Sequence, residues 1–112
     1  MLRRSENVRV NTYPLPSTKT FTVNMNSEHQ ILGIVNIAGV PCFLVEESNG
    51  STSKDFAFRG VTLNEQFDKP MDWSFLGETQ VVIDPDADRP ASETRYVYGL
   101  RSARSMGGAL SM

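Results

Sequence analysis

Alternating hydrophobic and polar residues predict the first two strands of this chain. Val8–Tyr13 alternates until Pro14, which has no amide hydrogen to donate to a sheet. In Thr20–Met25 every second residue from Phe21 onward is apolar, so one face of the segment is hydrophobic and the other polar. We therefore predict a short edge strand followed by a half-buried strand.

The centre of the chain predicts a β-hairpin. Gln30–Ile37 is apolar on both faces and rich in β-branched residues, which favours a central strand over a helix. Ala38 and Gly39 indicate a tight reversal, after which Val40–Val45 returns as the second strand. The hydrophilic segment Glu46–Lys54 is then expected to be a loop.

Three later segments also have strand patterns. Asp55–Leu63 and Trp73–Ile83 each contain a glycine, Gly60 and Gly77, that indicates a kink or a β-bulge. Arg95–Arg101 alternates again and is a candidate to close the sheet.

The spacing of these segments places the chain in the all-β class. We predict a small antiparallel β-sandwich or barrel of about six strands, with one short helical turn around Leu63–Phe67 and extended N- and C-terminal segments. Residues 1–7 are expected to form an N-terminal arm and residues 8–100 a single β-rich domain. Residues 101–112 are expected to form a C-terminal tail that is either flexible or bound to a partner.

Composition narrows the chemistry available to this domain. A chain of 112 residues has the size of one domain. Its single cysteine, Cys42, and single histidine, His29, exclude an internal disulfide and a zinc site built from four Cys and His ligands. No segment reaches the ~20 apolar residues of a membrane span, and the first residues lack an apolar signal region. We predict no cofactor, no metal and no membrane association.

Charge is distributed unevenly along the chain. Residues 46–88 carry a net charge of −7, whereas residues 1–45 carry +2 and residues 89–112 carry +3. An acidic middle disfavours nucleic acid, and basic ends on an acidic body suit contacts with other protein subunits. We expect the chain to belong to an oligomeric assembly, built with copies of itself or with other protein subunits.

An acidic triplet near the end of the domain has part of a calcium-loop pattern. Asp84, Asp86 and Asp88 have the spacing that opens such a loop. Arg89 and Arg95 stand where the loop needs glycine and glutamate. A solvated acidic turn is the preferred interpretation.

His29 and Cys42 are the candidates for a catalytic pair. His29 falls in a polar turn and Cys42 inside a strand pattern, so we expect a surface histidine and a buried cysteine. The carboxylates of the acidic middle have no catalytic spacing and are expected to form a solvated face. We predict that the chain is not an enzyme.

Aromatic residues in the strands indicate one further binding mode. Tyr96, Tyr98, Phe56 and Phe58, with nearby arginines, have the composition of a base-stacking sheet that binds single-stranded nucleic acid. Alternate aromatic residues are more often part of a core, and the acidic surroundings oppose phosphate. Nucleic-acid binding is therefore not the expected function.

The ends of the chain are the preferred candidates for partner contact. Basic and apolar side chains in an otherwise small and polar segment are typical of a terminus that adds itself to a neighbour's groove or sheet edge. An unattached terminus is the alternative. The candidate contact residues are Arg3, Arg4, Arg101, Arg104, Met106, Leu110 and Met112.

Six short segments follow one another within residues 12–83. They are Tyr13–Leu15, Thr20–Val23, Ile31–Val35, Gly39–Leu44, Phe58–Thr62 and Phe75–Gln80. In their order and spacing, with Tyr-Pro-Leu and Leu-Gly-Thr-like steps, they resemble a group of small tailed-bacteriophage proteins of unknown function. That group tends to end in a Trp-His aromatic strand, which Arg95–Gly99 replaces, and it has no counterpart of residues 101–112. The resemblance implies a phage or prophage origin and a β-rich fold, with no activity and no functional residues to carry over.

Together these patterns predict a non-enzymatic structural or interaction protein. The leading interpretation is a small phage virion component, such as a capsid decoration or minor virion protein, that docks through its terminal segments. Its expected partners are other copies of the chain or capsid or tail proteins. The alternative is a soluble host-takeover or anti-defence protein that binds and inhibits a bacterial protein through its acidic middle. The expected location is the virion, or the host cytoplasm during assembly.

Overall fold

Seven β-strands form the described part of the chain. The computed structural model describes residues 7–50, 52–83, 88 and 91–103, and no helix occurs among them. The all-β prediction is confirmed, and there are seven strands rather than about six because the segment expected to close the sheet is a full strand. The strands are β1 (Val8–Pro14), β2 (Thr20–Asn26), β3 (His29–Ile37), β4 (Val40–Ser48), β5 (Ser53–Val61), β6 (Ser74–Val82) and β7 (Ser92–Gly99).

The strands pair antiparallel in two sheets. One sheet has the order β1-β4-β3 and the other has the order β2-β5-β7-β6. Each sheet keeps two edge strands, so the fold is a sandwich and not a closed barrel. The connections from β1 to β2, from β2 to β3 and from β4 to β5 each cross between the sheets, which links the two layers along the chain.

The core lies between the sheets, around three phenylalanines. Phe43 of β4 and Phe58 of β5 have ring centroids 4.7 Å apart, and Phe21 of β2 stacks on Phe58 at 5.6 Å. Alternate residues of each strand point inward, and each large apolar side chain that is fully buried contributes about 1.5–3 kcal/mol. The other buried apolar residues of this core are Val23, Met25, Ile31, Val45, Leu76 and Val97.

The predicted reversal between β3 and β4 is a two-residue hairpin. Ile37 pairs with Val40, and the two residues between them, Ala38 and Gly39, have φ values of 51° and 83°. Positive φ at both central residues is the backbone of a type I′ turn, whose twist matches that of the flanking strands. This turn fixes which backbone groups of β3 face β4.

The two glycines that predicted bulges have different roles. The register of β6 on β7 shifts between Phe75 and Gly77, so the bulge predicted there is confirmed. Gly60 stays in register on β7, so of the kink or bulge predicted there the bulge does not occur. A Cβ at Gly60 would lie 3.1 Å from Cδ of Arg95, so the glycine makes room for that side chain.

Two expectations about loops are wrong. The helical turn around Leu63–Phe67 does not form, because Asn64 has a φ of 67°, in the left-handed region where a helix of L-residues cannot continue. The loop expected from Glu46 begins only after Ser48. β4 continues to that point because Glu47 turns inward and is buried.

Candidate interaction site

After β7 the chain passes from the four-stranded sheet to the edge of the three-stranded sheet. The Ile31 amide donates a hydrogen bond to the Arg101 carbonyl at 2.6 Å, and the Ala103 amide donates to the His29 carbonyl at 3.0 Å. Residues 101–103 therefore act as a short additional strand on the outer edge of β3. The described chain ends at this edge.

The Arg101 side chain joins the edges of the two sheets. Its Nη1 donates to the Ile31 carbonyl of β3 at 3.1 Å, and its Nη2 donates to the Phe75 carbonyl of β6 at 2.7 Å. Hydrogen bonds from a charged donor are stronger than those between neutral groups. Arg101 therefore ties β3 to β6 and fixes the point where the chain leaves the sandwich.

Of the contact residues predicted from the sequence, Arg101 is the one that the structure describes. Its guanidinium is bound by carbonyls of its own chain. The other six lie outside the described residues: Arg3, Arg4, Arg104, Met106, Leu110 and Met112.

The outer edge of β3 is open beyond the part that residues 101–103 cover. A bulge between Ile31 and Gly33 shifts the register on β4. Past the bulge, the pairing set by the hairpin directs the backbone groups of Ile34 and Asn36 away from β4. Within the described residues no backbone hydrogen bond outside the strand ladders reaches Ile34 or Asn36. An unpaired edge of this kind can accept another strand.

A cleft separates this open edge from β6. Ile34 packs on Gly77, where a Cβ would lie 3.2 Å from the Ile34 side chain, so the two strands touch at this point. Beside this contact lies a cleft of about 340 Å³. Its lining residues are Ile34, Val35, Asn36, Pro41, Glu78, Thr79 and Gln80. The cleft combines aliphatic side chains with the exposed carboxylate of Glu78.

Apolar side chains continue onto the outer face of the three-stranded sheet. Val10 of β1 is 54% exposed, and the hairpin pair of Ile37 and Val40 is 46% and 45% exposed. Single exposed apolar side chains are common, but these belong to the sheet that carries the open edge. A partner strand added to β3 would lie beside Ile37.

A buried carboxylate connects β1, β2 and β4 inside the sandwich. Glu47 is 4% exposed, and its Oε1 accepts hydrogen bonds from Asn11 Nδ2 and Tyr13 Oη, both at 2.6 Å. Its Oε2 accepts a hydrogen bond from the Asn26 amide, also at 2.6 Å. A buried charge needs such donors because it has lost its contact with water. These hydrogen bonds hold β1, β2 and β4 together.

The network shifts the pKa values of both acids in it. Burial pushes the pKa of Glu47 upward, but the hydrogen bonds from Tyr13, Asn11 and the Asn26 amide outweigh burial and lower the pKa overall. Burial, the hydrogen bond to Glu47 and that carboxylate's charge raise the pKa of Tyr13 to about 12. The carboxylate is therefore ionised and the phenol neutral at neutral pH.

His29 is buried, so the prediction of a surface histidine is wrong. Its Nδ1 lies 2.9 Å from the Asn26 carbonyl, and its ring packs edge-on against Phe56 at 4.5 Å between centroids. Cys42 is buried, as predicted. In the register of β3 on β4, His29 lies opposite Glu47. Glu47 is five residues along β4 from Cys42, which is about 16 Å in an extended strand. His29 and Cys42 therefore form no catalytic pair.

A second carboxylate organises the loop after β5. Glu65 accepts hydrogen bonds from the Thr62 amide at 3.0 Å, from Lys19 Nζ at 2.9 Å and from Arg59 Nη2 at 2.5 Å. The Thr62 amide, Lys19, the Thr62 hydroxyl and Arg59 lower the pKa of Glu65 to about 2. The Arg59 guanidinium forms an ion pair with Glu65 and lies 5.8 Å from the ring centre of Phe67.

Aromatic side chains lie on both faces of the four-stranded sheet. Phe56 and Phe58 point into the core. Tyr96 and Tyr98 lie on the opposite face, where Phe75 contacts them at 6.4 and 5.6 Å between ring centroids. The four aromatic residues considered for base stacking therefore do not form one surface.

The described residues contain no group of three His, Cys, Asp or Glu side chains that could hold a metal ion. Of the acidic triplet, Asp84 and Asp86 lie outside the part of the chain that the structure describes, and Asp88 is exposed. A search of the same residues for a helix long and apolar enough to cross a membrane finds none.

Comparison with known proteins finds no match to a protein-family model, to a curated protein or to a solved structure. The resemblance to small phage proteins stays a prediction.

Proposed function

We propose that the chain is a non-enzymatic structural or interaction protein, and specifically a small component of a phage particle that docks through its terminal segments. The observation that carries the proposal is the pairing of residues 101–103 with the edge of β3. This pairing holds the chain on a sheet edge up to Ala103, the residue that precedes segment 104–112. The resemblance of residues 12–83 to small phage proteins supports the setting in a virion.

Both ends of the described chain leave from the same end of the three-stranded sheet. The Asn49 amide donates to the Asn7 carbonyl at 3.3 Å, just beyond the Val8–Ser48 pair of β1 and β4. Ala103 is held beside His29 at the same end of β3. The segments that carry Arg3, Arg4 and Arg104 therefore start from neighbouring points, which supports a single docking region with excess positive charge.

Mass spectrometry of purified particles tests the proposal. We expect many copies of the chain per particle, and absence from particles would contradict a virion role. A variant with residues 104–112 replaced by nine Gly and Ser residues is expected to keep its urea midpoint, because residues 101–103 still pair with β3. The same variant is expected to be lost from particles. A matched variant of the exposed Glu28 (Glu28→Gln) is expected to be retained.

The alternative function, inhibition of a bacterial protein, is favoured by one surface. A groove of about 500 Å³ beside β2 and β5 is lined by Phe67, Pro70 and Trp73, together with Asp68 and Arg59. This groove lies in the acidic middle of the chain, since residues 46–88 carry a net charge of −7, and an acidic surface suits a basic partner. An inhibitor would keep its affinity for the host protein after replacement of residues 104–112 and lose it in Trp73→Ala.

A further inference from the structure

We propose that residues 104–112 of a second copy add as an extra strand to the open edge of β3 at Gly33–Ile37 and cover the cleft between β3 and β6. The inference rests on the proposed function, because it names the partner of the terminal segment as another copy of the same chain. Addition of a strand to a sheet edge is a general mode of protein association, in which backbone hydrogen bonds supply much of the affinity.

The first step of the argument is that this edge already accepts a neighbouring part of the same segment. Ser102 forms an antiparallel bridge with Gln30, and its hydroxyl also donates to the His29 carbonyl at 3.2 Å. Residues 101–103 cover β3 only from His29 to Ile31. In the remaining half of the edge, from Gly33 to Ile37, the backbone groups of Ile34 and Asn36 point away from β4.

The direction of residues 101–103 along β3 favours a partner in trans. Arg101 lies beside Ile31 and Ala103 lies beside His29, so the chain runs antiparallel to β3 and away from Gly33–Ile37. To fill the open half, residues 104–112 of the same copy would have to reverse immediately after Ala103. A segment from a second copy has no such constraint, so a partner in trans is favoured.

The third step is chemical fit. Residues 104–112 contain no proline and no acidic residue, and at strand spacing Met106, Leu110 and Met112 share one face with Gly108. The other face holds only small residues. The large face suits the aliphatic side chain of Ile34, which lines the cleft. An extended segment of nine residues spans about 30 Å, more than the five-residue edge requires.

Charge agrees with this placement. No Asp, Glu, Lys or Arg occurs in β3, so the edge itself repels neither sign of charge. Glu78, exposed on β6, lies at the cleft and provides a partner for Arg104. The other edge strand of the same sheet, β1, carries Arg9 as its second residue, which disfavours a basic segment there.

The experiment uses the full chain and a synthetic peptide with the sequence of residues 104–112. Sedimentation equilibrium is expected to show concentration-dependent self-association, and the peptide is expected to compete with it. A control peptide with the same side chains but N-methylated at alternate backbone amides is expected to bind at least about tenfold more weakly, because it cannot pair with a strand.

Two variants at one position test the edge itself. The Asn36 amide faces away from β4, so Asn36→Pro removes a donor to the added strand without removing a hydrogen bond between β3 and β4. Asn36→Ala keeps the amide, and both variants lose the Asn36 Oδ1 contact with the Gly39 amide. We expect peptide affinity to fall at least about tenfold in Asn36→Pro relative to Asn36→Ala.

Three results would overturn the inference: equal binding of the methylated and unmethylated peptides, equal affinity of the two Asn36 variants, or self-association that persists after residues 104–112 are replaced by Gly and Ser. A chain that stays monomeric and does not bind the peptide would also overturn it. Incorporation into particles is measured separately. A chain present in particles whose peptide does not bind would refute the inference alone, whereas peptide binding by a chain absent from particles would refute the virion role.

Discussion

Removal of the buried carboxylate in Glu47→Ala should be one of the most destabilising single changes in this sandwich. The substitution leaves Asn11 Nδ2, Tyr13 Oη and the Asn26 amide without their acceptor. A buried donor without a partner costs about 1–3 kcal/mol. A polar cavity of about 210 Å³ borders the network, so water can reach part of it. Taking the lower value for each donor gives a loss of about 3 kcal/mol.

Urea unfolding followed by Trp73 fluorescence measures this loss. Domains of this size have a typical free energy of unfolding of about 5–15 kcal/mol, so the predicted loss is a large fraction of the total. With an m-value of about 1.5 kcal/mol per M, the midpoint should fall by about 2 M. Glu78→Ala, which removes an exposed glutamate from β6, is the matched control and should change stability by less than about 0.5 kcal/mol.

The reasoning would be refuted if Glu47→Ala lost less than about 1 kcal/mol, or no more than Glu78→Ala, since three unpaired donors cannot cost so little. The pH dependence gives a second check. Because folding lowers the pKa of Glu47, its stabilising contribution is present above the pKa of an unfolded glutamate and is lost as the pH falls through the folded value. Glu47→Gln should remove that part of the acid sensitivity.

Three further changes test other parts of the fold. Arg101→Ala should lower stability by about 1–2 kcal/mol in urea unfolding, because two backbone carbonyls lose a charged donor, and an unchanged midpoint would argue against its joining of the sheet edges. Glu65→Gln should reduce the loss of stability between about pH 4.5 and about pH 2, since the folded pKa of Glu65 is lowered to about 2, and an unaltered acid limb of the pH profile would contradict that value. Gly99→Ala should lower the melting temperature, because a Cβ there would overlap the Phe58 ring, and calorimetry of a matched Ala57→Gly variant, on an exposed site, provides the comparison.

The sequence could predict the strands because alternation is a local property. Phe21, Val23 and Met25 alternate within six residues, and the structure places them on the inner face of β2. The turn at Gly39 was equally local, since its residue type alone favours a positive φ. The order of the strands within each sheet is not a local property of the sequence. The pairing of β1 with β4 joins residues that are 28 (Pro14 and Cys42) to 40 (Val8 and Ser48) positions apart, and no local signal specifies it.

Glu47 and His29 show why the polar interior was missed. Both residues lie next to polar neighbours in the sequence, which favoured a loop and a surface turn. The burial of Glu47 depends on Asn11 and Tyr13, and His29 packs against Phe56, so each relies on residues of another strand. One signal was present, because Glu47 continues the inward alternation that begins at Phe43. Extending β4 by that period would have placed the carboxylate inside the sandwich.

Arg101 shows how a contact residue chosen from sequence can mislead an assembly experiment. Its charge and its position near the end of the chain made it a candidate for partner contact, yet its guanidinium binds carbonyls of β3 and β6 in its own chain. Loss of assembly in Arg101→Ala would therefore follow from loosened sheet edges even if no partner touched that side chain. Replacement of residues 104–112 leaves those hydrogen bonds in place. A test of assembly must accordingly be made beyond Ala103 or at the Asn36 amide, where the domain can stay intact while the proposed contact is removed.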